Sequence, residues 1–383
     1  MKALLLIPSR LKTDVATAVA EDRHPTMDYY ALEDALRAKG ATVTFLDYRA
    51  LEASTHPLVR FAKKVGGDDA GLAMLGFLHR READVIFTNG ENVGMPLALL
   101  FRAAKAKGEK RVGHVTIGHK LSTKKKQLLL GKLGLHREMD TIFVYATTQL
   151  NWGKAKLGIP ESVLKLIPFH ADARFYRPLA HVETNPNLVS AAGLEWRDYP
   201  TLIGAIADQK QLSVRLAAAS PWSKHTNETE KTNLPSHVDA RRYEYNDLRT
   251  LYAESAMVAV PLYENDFQAG VTTLLEAMAM GKPVIVTQTE GQTDVVTDGV
   301  NGLTVEPGDQ AGWRHAIELL QSDPELRARL GANARRFIEE KASLDRWAVS
   351  LTEAIFAAQG VQERSTTGTA GQRSPGKASA KNA

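Results

Sequence analysis

The sequence predicts an α/β protein built from two successive βα domains that face each other across a cleft. Three observations carry that prediction. Short β-branched runs alternate with stretches of helical spacing, the rhythm of parallel sheets covered on both faces. The alternation halts once, in the polar, broken stretch LAHVETNPN after Pro178, and then restarts. The chain has 383 residues, enough for two cores. The expected domains are residues 1–180 and 181–342, followed by a C-terminal helix over 343–360 and a disordered basic tail over 361–383. No repeat of fixed period is visible.

Taken in order, KALLLIP and ATVTFLDY read as strands, and TMDYYALEDALRAKG between them has helical spacing and a closing glycine. ADVIFTNG, KRVGHVTIGH, DTIFVYAT and VLKLIPF continue the strands of the first half. In the second half LVSAAG, LSVRLAAAS, MVAVPLY and GLTVEP read as strands. YPTLIGAIADQ, DLRTLYAESA and AGWRHAIELLQ read as the helices between and after them. The stretch NDFQAGVTTLLEAMAMGKPVIV, residues 265–286, reads as loop, helix, turn and strand, with Val271, Leu275 and Met278 on one face.

Composition narrows the class. Hydrophobic content of 44% with 24% charged residues is that of a soluble globular chain. The absence of cysteine excludes disulfides and thiolate metal sites. No apolar run is long enough to span a bilayer. MKALLLIPSR is too short for a signal sequence and fits a first strand, so the expected compartment is the cytoplasm. The pI near 9.0 suggests nucleic acid, but the tail explains it. From Val361 onward Arg364, Arg373, Lys377 and Lys381 stand against Glu363, which is +3 of the chain's +4. No nucleic-acid partner is expected. KLSTKKKQLLLGKLGLHR, with lysines from Lys120 to Lys132 beside leucines, has two readings. It is either a helix with a solvated basic face or a peripheral contact with an anionic membrane, which would place the protein at the inner face.

Chemistry concentrates in the second half. In open α/β sheets ligands bind beyond the carboxyl ends of the strands. The loop after MVAVPL lies at such an end and leads into the helix starting near Val271. The first N–H groups of that helix have no internal partner and, with the helix dipole, suit an anion. Gly270 lets backbone approach that anion, and Thr272 and Glu276 share a helix face. A phosphate at the helix start and a ribose diol donating to Glu276 fit a single nucleoside diphosphate. A capped helix with a half-exposed Glu is the plain alternative. Arg197 follows another strand–glycine turn and is placed to pair a phosphate, the alternative being a surface Arg paired with Asp198 or Glu195.

Five segments in order carry a resemblance. LIPFHADARFYRP, AAGLEWRDYPTLIGA, LYAESAMVAVPL, GVTTLLEAMAMGKPVIVT and GQTDVVTDGVNGLTVEPGD are similar to the retaining glycosyltransferases of family four, which have the GT-B fold. They cover roughly residues 166–310, and the N-terminal half matches only in its βα rhythm. The resemblance implies two Rossmann-like domains. It implies a nucleotide-sugar donor, most often UDP-linked, held by the second domain, and a glycan, lipid or small-molecule acceptor held by the first. It implies sugar transfer with retained anomeric configuration, with no further cofactor, in cell-envelope glycan synthesis. By the same resemblance Glu276 binds the ribose, Arg197 the diphosphate, and Gly270, Val271 and Thr272 supply amides to the phosphates. His119 stands where the family has a histidine reaching the donor sugar.

Three departures qualify the resemblance. The family's first glutamate falls on Gln268, with Glu264 and Asp266 as the nearby acids; Asp266 is the alternative donor contact. The arginine expected after the strand glycine is Leu194. The first loop, PSRLKTDVATAVAEDRHPT, lacks the family's glycine pair, although Ser9 and Arg10 are expected to face the cleft on the acceptor side. No metal is expected: GDD at Gly67–Asp69 and END at Glu264–Asp266 are the only acidic clusters resembling a nucleotide-sugar metal motif, and no spacing suggests zinc. Two rivals stay open, a nucleotide-sugar epimerase or hydrolase of the same fold, and a catalytically silent nucleotide-sugar binder.

Overall fold

The computed structural model describes residues 1–109, 111–217 and 234–367, with side chains described up to residue 359. The first half begins with β1 (Lys2–Leu6), α1 (Val15–Ala20), α2 (Asp28–Ala38), β2 (Thr42–Leu46), α3 (Tyr48–Ala53) and α4 (Pro57–His79). It continues with β3 (Val85–Thr88), α5 (Glu91–Ala106), β4 (Gly113–Gly118), the short α6 (Lys124–Lys126), β5 (Thr141–Val144), α7 (Thr147–Leu157) and β6 (Leu164–Leu166). All six strands are parallel, in the order β2-β1-β3-β4-β5-β6. Strand runs such as TIFV in β5 are buried at every position, as both covered faces of a parallel sheet require.

The second half begins with β7 (Asn185–Ala192), α8 (Tyr199–Ile206), β8 (Ser213–Ala217), β9 (Val238–Ala240), α9 (Tyr245–Glu254) and β10 (Ser255–Val260). Then come α10 (Val271–Ala279), β11 (Val284–Thr287), β12 (Leu303–Val305), α11 (Gln310–Ser322), α12 (Pro324–Phe337) and α13 (Leu344–Thr367). This sheet is also six-stranded and parallel, ordered β12-β11-β10-β7-β8-β9. Its order reverses between β7 and β10, so the crevice beyond their carboxyl ends is the topological switch point where ligands of such sheets bind.

Two features depart from the expected elements. The last helix runs on past residue 360 to Thr367, and it packs on the first domain. Leu344, Trp347, Leu351 and Ile355 join Leu5, Phe87 and Val115 in one core. The remaining part of the expected tail, residues 368–383, lies outside the described residues. The irregular first loop contains α1, and Asp22 just beyond it has a positive φ of 57°. Asp22 pairs with Arg177 (2.7 Å) near the end of the first half and with Arg249 (2.9 Å) of the second half, and its carboxyl is held down to about 2 chiefly by the Arg177 hydrogen bond.

No helix of the described residues is long and apolar enough to cross a membrane. In the lysine-rich segment Lys126 pairs with buried Glu91 and Lys120 reaches across to Asp266 at 2.8 Å. Neither forms part of a solvated basic face, whereas Lys124, Lys125 and Lys132 stay exposed.

Candidate functional site

A cleft of about 470 Å³ opens beyond the carboxyl ends of β7 and β10. The loop after β7 supplies Gly193 to Arg197, and the loop before α10 supplies Phe267 to Gly270. Arg242, Tyr243 and Tyr245 close the far wall.

Arg197 is not the surface residue of the plain alternative. It is 8% exposed, and burial lowers its pKa from the ordinary arginine value. Its Nε donates to the Ala192 carbonyl (2.8 Å), Nη1 to the Glu195 carbonyl (3.0 Å) and Nη2 to Thr273 Oγ1 (3.1 Å). Every one of these acceptors is uncharged. A buried guanidinium without a carboxylate on it is costly unless an anion completes the site. Two glycines make room for it. Gly193 (φ 92°) and Gly270 (φ 75°) both occupy the left-handed region. A Cβ on Gly193 would stand 2.5 Å from Arg197 Nη2, and one on Gly270 2.8 Å from Nη1. Each position therefore needs glycine twice, for its backbone and for the arginine.

Gly270 is also the N-cap of α10, and no side chain caps that helix. Its first turn lines the same cleft as Arg197, where the N–H groups of a helix start suit an anion, although the Val271 N–H also reaches the Gln268 carbonyl at 3.4 Å. One turn further along, Glu276 lies beside the rings of Tyr252 and Tyr176. Tyr252 Oη donates to Glu276 Oε2 at 3.3 Å. The buried Tyr176 hydroxyl faces the same carboxylate without closing a hydrogen bond of normal geometry. Desolvation raises the Glu276 carboxyl to about 7, and the two hydroxyls offset only part of that shift. The residue keeps a partly exposed edge to the cleft, where a ligand hydroxyl can reach it.

Gln268 lines the cleft, and its buried Oε1 has no hydrogen-bond partner. Val271 and Thr272 line it as well. Asp266 does not. It accepts from Lys120 Nζ (2.8 Å) and Ser122 Oγ (2.9 Å) of the first domain. Burial raises its carboxyl, but those hydrogen bonds outweigh it and hold the pKa below the ordinary value. Glu264 is exposed and outside the cleft. Gln268, not an acid, is thus the side chain that the loop turns inward.

On the first-domain side the structure separates the expected residues. His119 is exposed just after β4, its ring 5.6 Å from that of Tyr145, and it is not among the residues lining this cleft. Its neighbour Lys120 bridges to Asp266 and lies 4.8 Å over the Phe267 ring, so the His119 loop abuts the loop carrying Gln268. Arg10 pairs with Glu52 at 2.5 Å on the β2–α3 side, and Ser9 gives its carbonyl to Tyr48 N; neither lines the cleft. The local reason is that α3 follows β2 directly and presents Glu52 to the first loop.

Sequence reasoning missed several contributors. Glu91 is 4% exposed and accepts from the backbone N of His119 (2.9 Å) and Lys120 (3.3 Å) as well as from Lys126. It fixes the loop that carries His119. Burial raises its carboxyl, yet Lys126 and His119 outweigh burial and the net shift is downward. Tyr252 and Tyr176 read as core aromatics, and no local pattern marks them as the floor beneath Glu276. No lysine lines the cleft among the described residues; the second cation at its wall is Arg242, paired loosely with Glu244 (3.7 Å). No group of three His, Asp or Glu able to hold a metal ion occurs among the described residues. Of the acidic clusters, Asp68 pairs with Lys63 and Asp69 accepts from Tyr48.

Residues 179–337 match the family of glycosyl transferases group 1. A D-inositol 3-phosphate glycosyltransferase of Salinispora arenicola is 40% identical over 91 residues, 24% of this chain and 20% of that protein. A putative glycosyltransferase, EpsD, of Bacillus subtilis is 29% identical over 153 residues, 36% of this chain and 39% of that one. The matched segment spans only about a fifth of the length of the inositol-phosphate relatives. Solved structures align over nearly the whole chain. Anabaena HepE in complex with UDP has a TM-score of 0.66 at 17% identity, covering 93% of this chain and 100% of that one. Sucrose-phosphate synthase of Thermosynechococcus elongatus has a TM-score of 0.67 at 16% identity, covering 96% and 100%. At such identities the likeness speaks for the fold. The second half of the chain, residues 179–337, therefore matches glycosyl transferases group 1, and the whole carries the GT-B fold of glycosyltransferases.

Proposed function

We propose that the protein is a retaining glycosyltransferase that uses a UDP-linked sugar. The single observation that carries this reading is the buried, carboxylate-free Arg197 beside the uncapped start of α10, one turn from Glu276. A diphosphate neutralises the first two, and a ribose diol donates to the third. The HepE structures with UDP and UDP-glucose support a uridine donor by analogy of fold.

In the reaction the bond between the sugar anomeric carbon and the diphosphate oxygen breaks, and an acceptor hydroxyl bonds to that carbon from the same face. The acceptor proton passes to the departing phosphate oxygen. Negative charge grows on the diphosphate as the bond breaks, and Arg197 and the amides of Gly270–Thr272 are fixed in place to stabilise it. Gln268 is then sufficient as an amide. Its free Oε1 accepts a sugar hydroxyl and orients the reacting carbon, with no base required of it. His119 does not line the cleft, but its loop abuts the one carrying Gln268, which supports a role at the far side of the sugar, and the acceptor sits against the first domain.

The test is titration with UDP followed by turnover of UDP-sugars with an acceptor panel, reading product configuration by proton NMR. The expected result is UDP binding and an axial linkage from an axial donor. An inverted product refutes retention. Gln268 in place of an acid favours the silent-binder rival, which requires tight UDP-sugar binding with no turnover on any acceptor. An epimerase or hydrolase of the same fold would consume the donor with no acceptor present.

A further inference from the structure

Among the described residues, the most exposed large apolar side chains of the first domain lie together on the first half of α4. That helix is interrupted at Gly67, which is non-helical (φ 77°, ψ −173°). The chain folds back there, and a Cβ on Gly71 would stand 3.1 Å from the Lys63 Cβ. Residues 57–66 thus form a short helix lying on the outside of residues 68–79. Val59 is buried against the body of the domain. Leu58, Phe61 and Val65 are 51%, 65% and 72% exposed. Their spacing of i, i+3 and i+7 puts all three on one face, within about 60° of arc. Arg60 and Lys64, four residues apart, share the adjoining face, and Lys63 follows, paired with Asp68 at 2.9 Å. No acid lies between His56 and Gly66.

We propose that this short helix is a docking foot for an anionic lipid surface, lying in the interface with Leu58, Phe61 and Val65 inserted. Two features on the helix select lipid as its occupant. A phenylalanine exposed this far on a mostly polar surface is unfavourable in water, and an interfacial helix gains most from burying such a stripe. Arg60 and Lys64 flank the stripe with long stems, which lets their charged heads reach headgroup phosphates while the apolar side chains insert. The foot differs from the lysine segment at Lys120–Lys132. That segment has Leu128 and Leu133 exposed, but Lys120 and Lys126 are committed to Asp266 and Glu91.

The test is co-sedimentation of the full chain with vesicles containing phosphatidylglycerol and with vesicles of phosphatidylcholine alone. Phe61→Ser with Val65→Ser should lower partition onto the anionic vesicles by about tenfold or more. Arg60→Gln with Lys64→Gln should lower it by about fivefold per cation at low salt. All these positions are exposed, so unchanged melting temperatures are expected and separate lipid loss from misfolding. The proposal is overturned if the wild type does not sediment with the anionic vesicles, or binds both vesicle types equally. It is also overturned if Leu128→Ser with Leu133→Ser abolishes binding while the α4 variants keep it. A wild type that elutes as a dimer which Phe61→Ser dissociates would assign the stripe to a second copy and overturn it as well.

Discussion

At neutral pH the Glu276 carboxyl is close to half ionised, because burial against Tyr252 and Tyr176 lifts it to about 7. In the unfolded chain the same group titrates near 4.5. A folded value above the unfolded one means that the native state holds its proton longer, so this residue costs stability as pH rises from about 4.5 to about 7, and the cost persists above that. Its size is on the order of 3 kcal/mol. Glu276→Gln should therefore raise the melting temperature at about pH 8 and leave it unchanged at about pH 4, read by calorimetry. The same substitution should weaken UDP, since only the carboxylate accepts both ribose hydroxyls. For the wild type, affinity for an intact UDP-sugar, whose diphosphate does not titrate in this range, should rise from about pH 6 to about pH 8 and should be flat in the Gln variant, measured by titration calorimetry. Arg197→Met removes the buried cation of the cleft without opening a large void. It should cost UDP about 1.5–3 kcal/mol of binding while adding stability to the free protein. Glu276 and Arg197 were legible in the sequence because helix spacing and a strand–glycine turn place them without tertiary knowledge. The tyrosine floor was not, because an aromatic in a helix face reads as core whether or not a carboxylate lies above it.

Among elements, the start of α10 is the most exacting. Gly270→Ala must hold an L side chain at φ 75° and push a Cβ to 2.8 Å from Arg197 Nη1. The expected result is a stability loss of about 1–2 kcal/mol from the backbone and a larger loss of UDP affinity as Arg197 is displaced. Gln268→Ala in the loop just before it should lower kcat at least tenfold and leave UDP affinity nearly unchanged if, as proposed, this cleft-lining amide contacts the sugar. If UDP is lost as badly as in Glu276→Ala, the loop register is wrong. Most elements were readable: TIFV, VIVT and the Val271–Leu275–Met278 face follow from period alone. Three were not. The strand β9 is only three residues, too short for a period to show. The first half of α4 buries Val59 but leaves the Leu58–Phe61–Val65 stripe in solvent, so its pattern does not point to a core. The helix α1 has one buried residue and sits in a loop whose shape is set by the Asp22 contacts with the other domain.

For the whole molecule, several polar contacts link the two domains. Asp22 engages Arg249, Asp266 engages Lys120, and Asp294 accepts from the Thr147 N–H at 2.7 Å, capping α7 from the opposite domain. Such partly exposed contacts are individually weak. Lys120→Ala should accordingly cost under about 1 kcal/mol of stability yet raise KM for the donor, because it loosens the loop that carries Gln268. The two-domain architecture was legible from the restart of the βα rhythm. The destination of the last helix was not, since an amphipathic helix does not say which sheet it will cover. That destination has a consequence for synthesis. The first sheet lacks Leu344, Trp347, Leu351 and Ile355 until the whole second domain has left the ribosome. The second domain, whose strands all precede that point, is complete earlier. The protein is thus an insertion in which the part made first matures last, its sheet awaiting a cover. A nascent chain arrested before Leu344 should resist protease over its second domain while its first 180 or so residues are cut. Extending the chain through Thr367 should protect both.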